Sequence, residues 1–334
     1  MVIGGGAPTL VGTSERSHDG DIAMSDPEAS DEGSTSLPVV SVCICTYQRP
    51  YRLARLLRAL EQQETGGLFT MQVVVVDNDP QRSARAALLG YAKRTTWPFA
   101  HESLGEPNIA KARNLAVRIA HGDFVAMIDD DEVPSPSWLR KHFETLQRSR
   151  ACGVLGPVLP RYESPPPQWV IRGGFCDRPR YTTGTALSDP KRMRTGNVMI
   201  RRRSLRLEPG PFDPRLGRTG GEDVDFFRRR LARGDVFVWC DEAPVYESVP
   251  AQRLTRSYFL KRALLRGSVN GERTPLLSWS TAKSVIAATL YSCLLPVLLA
   301  WRHDLFMQFL MRDCDHLGKI FALCGVRLIR QRQG

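Results

Sequence analysis

The sequence lacks any C-x-x-C pair, although its 334 residues include eight cysteines without regular spacing. Zinc sites and disulfide frameworks depend on such spacings, so we expect neither. Cys43 and Cys45 alternate within an apolar run, as buried thiols do in a strand. This pattern favours a reduced, cytosolic protein.

The first twenty residues lack both a basic start and a continuous apolar core. A secretory signal peptide requires both features, so we expect none here. Residues 1–37 contain seven acids and one base among many glycines and serines. This composition predicts a disordered acidic tail.

Acids are scarce in the rest of the chain, where 45 bases stand against 28 acids. The net charge of this part is +17, compared with +11 for the whole chain. A basic body favours an anionic partner, namely nucleic acid, the phosphates of a small substrate or an acidic membrane surface. Aromatic platforms and a recognition helix are missing, which disfavours nucleic acid.

The segment Phe124–Glu132, FVAMIDDDE, combines an apolar run with a cluster of acids. Its first five residues predict a buried strand, and Asp129, Asp130, Asp131 and Glu132 follow directly. Ligands of open α/β sheets bind beyond the carboxyl ends of strands, where these acids lie. Because adjacent carboxylates repel one another, a divalent cation such as Mg²⁺ or Mn²⁺, shared with substrate phosphates, would offset the cost. A solvated acidic turn is the alternative interpretation.

Short apolar strands and amphipathic helices alternate before this segment. The order predicts an α/β fold, with a mostly parallel central sheet and helices on both faces. The polar residues that follow the strands are expected to converge on one crevice. The predicted strands are Val39–Cys45, Met71–Val76 and Phe124–Ile128, and the predicted helices contain Leu53–Leu60, residues 81–93 and Asn108–Ala120.

Several motifs resemble glycosyltransferase family 2, the inverting enzymes of GT-A fold, which has a Rossmann-like sheet. They are VCICTYQRP (Val42–Pro50), VVVVDND (Val73–Asp79), NIAKARN (Asn108–Asn114), Met127–Glu132, Thr195-Gly196-Asn197 and FDPRLGRTGGEDVDFFRRR (Phe212–Arg230). The resemblance covers roughly residues 38–250. Within the family the chain is most similar to the non-processive enzymes of bacterial exopolysaccharide assembly, the succinoglycan type.

The resemblance implies a nucleotide-sugar site at the strand ends, with the base and ribose, the diphosphate and the donor sugar held by different residues. From the residues alone, the alternatives are turn caps at Thr46 and Asp77, an ion-paired or solvated Arg113, and a plain loop at 195–197. The residues that the resemblance assigns to the donor are Thr46, Arg49, Asp77, Arg113, Asp129, Asp130, Thr195, Gly196 and Asn197.

The resemblance assigns Asp131 to Mn²⁺ or Mg²⁺ bridging the two phosphates of the donor. Such an ion acts as a Lewis acid on the charge of the leaving diphosphate. Glu247 stands where many relatives carry a histidine near the metal. A carboxylate can also serve a metal, so Glu247 is included among the predicted ligands.

Glu222 and Asp223 follow two glycines at the start of a predicted helix. Acids in a first turn are favoured by the helix dipole, which is the plain structural interpretation. The resemblance places a general base here, and we predict Asp223, with Glu222 orienting the acceptor or the base. The base would take a proton from an acceptor hydroxyl, and inversion would give a β-linkage from an α-linked donor.

The C-terminal region contains seventeen uncharged residues, Val285–Trp301. A helix that spans a bilayer needs roughly 20 apolar residues, so three interpretations remain: a transmembrane helix, an interfacial helical hairpin and a buried helical cap. We expect membrane attachment from the cytosolic side, with the basic body facing anionic lipid.

The sequence therefore predicts three regions: an acidic tail (1–37), a GT-A domain (38–250) and a basic, apolar, helical, membrane-associating region (251–334). The predicted activity is metal-dependent inverting transfer of a hexose from a nucleotide sugar, UDP-linked by expectation, to a lipid-linked glycan acceptor. The predicted location is the cytoplasmic face of the inner or plasma membrane, peripheral or single-span. The alternatives are a polyprenyl-phosphate sugar synthase and a catalytically inactive membrane-surface binding protein on the same scaffold.

Overall fold

The computed structural model describes residues 36–205, 210–272 and 275–326. All but the last two residues of the predicted acidic tail lie outside the described residues. The strands are β1 (Val39–Thr46), β2 (Thr70–Asp77), β3 (Phe99–Ser103), β4 (Phe124–Asp129), β5 (Glu132–Pro134), β6 (Gly153–Leu155), β7 (Val158–Tyr162), β8 (Asn197–Arg201), β9 (Phe237–Trp239) and β10 (Val245–Val249). The helices are α1 (Pro50–Glu61), α2 (Arg85–Ala92), α3 (Ile109–Ile119), α4 (Trp138–Arg148), α5 (Gln168–Gly173), α6 (Glu222–Ala232), α7 (Arg256–Glu272), α8 (Trp279–Trp301) and α9 (His303–Leu323).

The central sheet has seven strands in the order β3-β2-β1-β4-β8-β6-β9. The pairings of β3, β2, β1 and β4 are parallel, and β8 runs antiparallel to both of its neighbours. These four strands are parallel because a helix separates each of them from the next in the sequence. Each helix carries the chain back to the edge of the sheet at which the preceding strand began. The predicted, mostly parallel sheet is confirmed.

Helices cover both faces of this sheet. Successive side chains of a strand point to opposite faces, so Val42 and Cys43 of β1 enter different cores. Val42 packs in the core that contains Leu53 of α1, and Cys43 packs in the core that contains Ala116 of α3. This two-sided burial explains why β1 is apolar along most of its length.

A smaller sheet, β5-β10-β7, lies beside the acid cluster and was not predicted. The edge strand β3 was also missed, between two helices that the prediction joined directly. The physical reason is the same for both, since these strands are short and carry polar side chains. His101 and Glu102 in β3, for example, are exposed.

The last three helices pack together, with α9 against both α7 and α8. Glycines allow the close approach of α7 and α9, because a Cβ at Gly318 would lie 2.3 Å from the carbonyl oxygen of Leu264. The most apolar 18-residue stretch of the 23-residue α8 has a mean hydropathy of 1.9, and only 11% of that stretch is buried. Its outward residues include Leu290 and Val297, so the structure disfavours a buried cap and leaves a spanning or an interfacial helix.

Candidate active site

The carboxyl ends of β1, β2 and β4 meet at one edge of the sheet, as the sequence predicts. There they border a cleft of about 1090 Å³. The opposite wall comes from the segment before α6, which contributes Gly217, Arg218 and Thr219. The lining from the strand ends includes Thr46, Arg49, Asn78, Asp129, Asp130 and Asp131.

Asp130 is held by two of the predicted donor-binding residues. Its Oδ2 accepts a hydrogen bond from Thr46 Oγ1 at 2.8 Å, and its Oδ1 accepts one from Arg49 Nη1 at 2.9 Å. Burial raises the pKa of the Asp130 carboxyl, although Arg49 and the Thr46 hydrogen bond act in the opposite direction. The three side chains therefore form one hydrogen-bonded group at the floor of the cleft.

Asp131 is surrounded by cationic side chains. Its Oδ2 lies 3.1 Å from Arg49 Nη1, 3.2 Å from Arg52 Nη1 and 3.8 Å from Arg253 Nη2. Asp131 itself is buried. The repulsion expected among the clustered acids is thus offset by guanidinium groups as the chain folds.

Glu247 reaches the acid cluster through the register of the small sheet. β10 runs antiparallel to β5 and places Glu247 opposite Glu132, next to Asp131. Glu247 forms ion pairs with Arg178 and with Arg253, whose Nη1 lies 3.0 Å from Glu247 Oε1. Arg253 therefore lies between the carboxylates of Asp131 and Glu247, the two predicted metal ligands.

Gly196 packs against two carboxylates of the cluster. A Cβ at this position would lie 2.9 Å from Asp129 Oδ2 and 3.0 Å from Glu132 Oε1, which only glycine avoids. The backbone N–H of Asp129 donates to Glu132 Oε2 at 3.1 Å. Burial and then the neighbouring charge of Asp129 raise the pKa of Glu132 well above its ordinary value.

Arg113 connects the acid cluster to the start of α6. Its guanidinium pairs with Glu222 and lies 3.4 Å from Asp129 Oδ1. Burial opposes its charge, but Asp129 and Glu222 outweigh burial and raise the pKa of Arg113. Among the described residues, Glu222 Oε2 is buried without a hydrogen-bond partner.

Asp223 stands at the start of α6 beside Glu222. Gly220 and Gly221 have φ values of +81° and +91°, a conformation that favours glycine, and they turn the chain into the helix. Asp223 Oδ1 accepts from the N–H of Val224 at 2.8 Å, and Oδ2 lies 3.6 Å from Arg194 Nε. Its carboxylate is thus stabilised by the helix start and is partly open to solvent.

Asp77 uses both carboxylate oxygens inside its own turn. Oδ1 accepts from the N–H of Asp79 at 3.1 Å, and Oδ2 accepts from the N–H of Ala84 at 3.0 Å. The neighbouring Asn78 lines the cleft instead, and its Oδ1 accepts from the N–H of Asn108. The geometry matches the turn-cap interpretation of Asp77, and its predicted contact with the nucleotide stays a prediction.

Asn197 points into the protein core. Its Oδ1 accepts from Trp138 Nε1 at 2.8 Å and meets His142 Nε2 at 2.7 Å. Its Nδ2 donates to the carbonyl oxygens of Pro157 and Ala243. The structure thus separates Asn197 from Thr195, which lines a small cavity with Arg113 and Asp129.

Asp131 and Glu247 are the residues that the resemblance assigns to Mg²⁺ or Mn²⁺. Both are carboxylates, the ligands that these hard cations prefer, and they already share one cationic group, Arg253. No group of three or more His, Cys, Asp and Glu side chains arranged to hold a metal ion is found in residues 36–205, 210–272 and 275–326. Two carboxylates alone would leave such an ion to complete its coordination with substrate phosphates and water, so the assignment of Asp131 and Glu247 to a metal stays a prediction.

Four arginines at this site were not predicted as site residues: Arg52, Arg178, Arg194 and Arg253. Arg52 follows Arg49 by one helical turn, so a helix starting at Pro50 would have placed both on the same side. Arg178 comes from an irregular segment after α5, and no local pattern indicates its contact with Glu247.

Comparison with known proteins gives a consistent result. The model of the family described as Glycosyl transferase family 2 matches residues 41–206. The Succinoglycan biosynthesis protein ExoM of Rhizobium meliloti (strain 1021) is 33% identical over 306 residues, which cover 87% of this chain and 95% of the relative.

Two solved structures have a similar fold at low identity. S. aureus TarS 1–349 in complex with UDP-GlcNAc matches with a TM-score of 0.50 and 14% identity, over 88% of this chain and 97% of that one. GalNAc-T7 with UDP, GalNAc and Mn²⁺ matches with a TM-score of 0.50 and 14% identity, over 75% of this chain and 54% of that one. With the family match, these likenesses confirm the predicted GT-A fold.

Proposed function

The chain belongs to glycosyltransferase family 2, and from this premise we propose a specific activity for it. It is a metal-dependent, inverting enzyme that moves a hexose from a UDP-linked donor to a lipid-linked glycan acceptor. The product belongs to bacterial polysaccharide assembly, in line with the relative named for succinoglycan biosynthesis.

The observation that carries the proposal is the position of Arg113. Its guanidinium joins Asp129 in the acid cluster to Glu222 beside the predicted base. Donor-side and acceptor-side carboxylates thus belong to one charge network, of which Asp129 lines the cleft. Such an arrangement suits a reaction in which a diphosphate leaves on one side and a hydroxyl attacks on the other.

The donor diphosphate occupies the cleft beside Asp131, and Thr46 and Arg49 hold the nucleoside end. Glu247 reaches this side only through Arg253, and Asp77 would have to leave its turn contacts to bind the nucleoside. A bound Mn²⁺ or Mg²⁺ supplies Lewis-acid neutralisation of the charge on the leaving diphosphate. Arginine binds phosphate through paired N–H groups, so Arg49 and Arg253 can turn from the carboxylates to the donor. The UDP complexes of TarS and GalNAc-T7 support a UDP-linked donor.

Asp223 acts as general base. Its carboxylate takes the proton of the acceptor hydroxyl while that oxygen attacks the anomeric carbon and the bond to the diphosphate breaks. Attack from the side opposite the leaving group inverts the configuration. Glu222, fixed by Arg113, orients the base or the acceptor.

The acceptor reaches the cleft from a membrane surface. α8 presents apolar side chains on the outside of the protein, and α9 joins it to α7 near Arg253. We place the protein at the cytoplasmic face of the inner or plasma membrane, with α8 spanning it or lying in it. A lipid-linked acceptor would be held at the same surface.

The test is a screen of nucleotide sugars with the purified full chain in detergent. At least one UDP-hexose should be hydrolysed or transferred with Mn²⁺ or Mg²⁺, and a chelator should abolish the reaction. The proposal fails if no nucleotide sugar is consumed and UDP does not bind in the presence of either metal.

The alternative activity is that of a polyprenyl-phosphate sugar synthase. The arginines near α7 favour this alternative, because guanidinium groups bind phosphate. Mass spectrometry of the lipid product separates the two, because the alternative yields a sugar attached directly to a lipid monophosphate. The inactive-scaffold alternative predicts that Asp223→Asn leaves polysaccharide production unchanged.

A further inference from the structure

A second cavity lies between the catalytic domain and the C-terminal helices. It measures about 190 Å³ and is bordered by the segment after α5, by β10 and by α7. We refer to it as the arginine pocket. Its lining includes Phe175, Arg178, Arg253, Tyr258, Arg262 and Arg266.

The arginine pocket is lined by four arginines and by two carboxylates, Asp177 and Glu247. Arg178 and Arg253 share the carboxylate of Glu247, and Arg266 Nε lies 2.9 Å and 2.8 Å from the two carboxylate oxygens of Asp315 on α9. Arg262 is exposed and forms no hydrogen bond or ion pair within the described ranges. An anion in the arginine pocket would therefore pair with Arg262 and lie close to the other arginines of the lining.

The other side of the arginine pocket is apolar. Phe259 and Phe175 pack against each other with ring centroids 5.4 Å apart, and Met311 of α9 lines the same wall. α9 in turn packs against α8, the helix with the exposed apolar surface. A ligand that carries phosphate next to an apolar chain matches this combination.

The volume and the position of the arginine pocket indicate which part of such a ligand it holds. Pockets for drug-sized ligands measure roughly 300–1,000 Å³, so about 190 Å³ suits a head group rather than a whole glycolipid. Arg253 also approaches Asp131 at 3.8 Å, so a single guanidinium separates the arginine pocket from the acid cluster. A phosphate bound there would hold its attached sugar next to the cleft.

We propose that the arginine pocket binds the phosphate groups of the lipid-linked acceptor, with Arg262 as the residue that becomes paired on binding. The proposal rests on the proposed function, because it specifies the acceptor class of that same site. The shared chemistry is a phosphate ester on an apolar chain, which a membrane phospholipid also offers.

The test measures binding of farnesyl diphosphate to the full chain in detergent, with chelator present so that metal-dependent donor binding is absent. Farnesyl diphosphate should bind at least about tenfold more tightly than farnesol, because charged hydrogen bonds are among the strongest. Arg262→Ala should weaken it about tenfold, and Arg262→Lys should weaken it less. Lys261→Ala, at the neighbouring exposed position outside the pocket lining, should leave it unchanged.

Three outcomes overturn the proposal. The first is that farnesol binds as tightly as farnesyl diphosphate. The second is that Arg262→Ala and Lys261→Ala reduce the affinity for farnesyl diphosphate equally. The third is that phosphatidylglycerol micelles at equal concentration displace farnesyl diphosphate, which would indicate a phospholipid site. UDP affinity with Mn²⁺, measured on the same variants, tests the proposed function separately. If the chain binds UDP but not farnesyl diphosphate, only the assignment of the arginine pocket is refuted. If it binds farnesyl diphosphate but not UDP, only the assignment of the donor site is refuted.

Discussion

At the scale of single residues, arginines compensate the acids of the cleft. Arg49 contacts both Asp130 and Asp131, and Arg113 contacts both Asp129 and Glu222. Of these pairs, Arg113–Glu222 is largely buried on both sides, and removing one of its partners would leave an unpaired charge at a cost of about 3–5 kcal/mol. The arginines therefore position carboxylates that the proposed reaction needs in the ionised form.

Asp223→Asn tests the general base. We expect kcat to fall about 10²–10⁴-fold, the usual contribution of a positioned base, while UDP affinity stays unchanged. Asp225→Asn is the matched control, because it makes the same change in the same turn of α6, where Asp225 pairs with Arg228 and Arg229. Steady-state kinetics of both variants measure the difference in kcat. A kcat loss of equal size in both would contradict the assignment of Asp223 as the general base.

His142 should make stability depend on pH. Burial lowers the pKa of His142 from 6.5 to about 4, and its Nδ1 is buried without a partner in the described part of the chain. Because only the unfolded state binds the proton between these values, stability should fall by about 3 kcal/mol as the pH drops from about 6.5 to about 4.

Urea unfolding at several pH values measures this effect. His142→Gln should flatten the pH dependence in that window, whereas His101→Gln, at an exposed position on β3, should not. An unchanged pH dependence in His142→Gln would show that other groups cause the acid sensitivity.

Sequence alone gave the location of the acids but not the direction of every side chain. Asp131 and Asp223 were chosen from the resemblance to the family, and their roles stay predictions. Asn197 belongs to a similar motif, yet its amide is used by Trp138 and His142 from α4. No local pattern reveals such a partner, since the contact spans more than fifty residues of sequence.

At the scale of elements, the wall of the cleft depends on a contact between the segment before α6 and the start of α3. Asn108 caps α3 by accepting from the N–H of Lys111, and its Nδ2 donates to the carbonyl oxygen of Pro214. The N–H of Ile109 donates to the carbonyl oxygen of Gly217. The helix cap and the cleft wall are therefore one hydrogen-bonded unit.

Gly217→Ala should disrupt this unit. A Cβ there would lie 1.8 Å from Asn108 Oδ1, so either the Asn108 side chain leaves its capping position or the segment moves away from α3. We expect kcat/KM for the donor to fall about 10–100-fold, since displacements near 1 Å have such effects. Gly105→Ala, where a Cβ meets nothing within 4 Å, is the control. Normal kinetics in Gly217→Ala would contradict this role of the wall.

Elements with strong periodicity were predictable and weak ones were not. α1 buries Leu53, Leu56, Leu57 and Leu60 as its spacing indicates, and β1, β2 and β4 are long apolar runs. β5 has three residues and begins with the acid Glu132, so only its pairing with β10 makes it a strand. That pairing, which brings Glu247 to the acid cluster, is a tertiary effect without a local signal.

At the scale of the whole molecule, the proposed function requires the apolar surface of α8 and the cleft to serve the same lipid-linked substrate. Leu290 and Val297 are 58% and 62% exposed and lie two helical turns apart on one side of α8. A contiguous apolar surface of this kind marks contact with a membrane or a partner. The basic charge of the body adds attraction to anionic lipid.

Replacing both Leu290 and Val297 by Asp should release the protein from vesicles. Each Asp costs about 2.5–3.5 kcal/mol near the centre of an inserted helix, so the bound fraction should fall at least tenfold. Thermal stability should change little, because both side chains are exposed. Leu89→Asp on α2, also exposed, is the control, and unchanged sedimentation with vesicles in the α8 variant would exclude this helix as the anchor.

The most direct measurement of the central claim is the affinity of the full chain for UDP, by calorimetry, with Mn²⁺ and with chelator. We predict binding with Mn²⁺, a loss of at least tenfold on chelation, and the same loss in Asp131→Asn with Mn²⁺ present. Asp123→Asn, outside the cleft lining at the opposite end of β4, should behave as the unaltered chain. Equal affinity with and without metal, or full affinity in Asp131→Asn, would contradict the account.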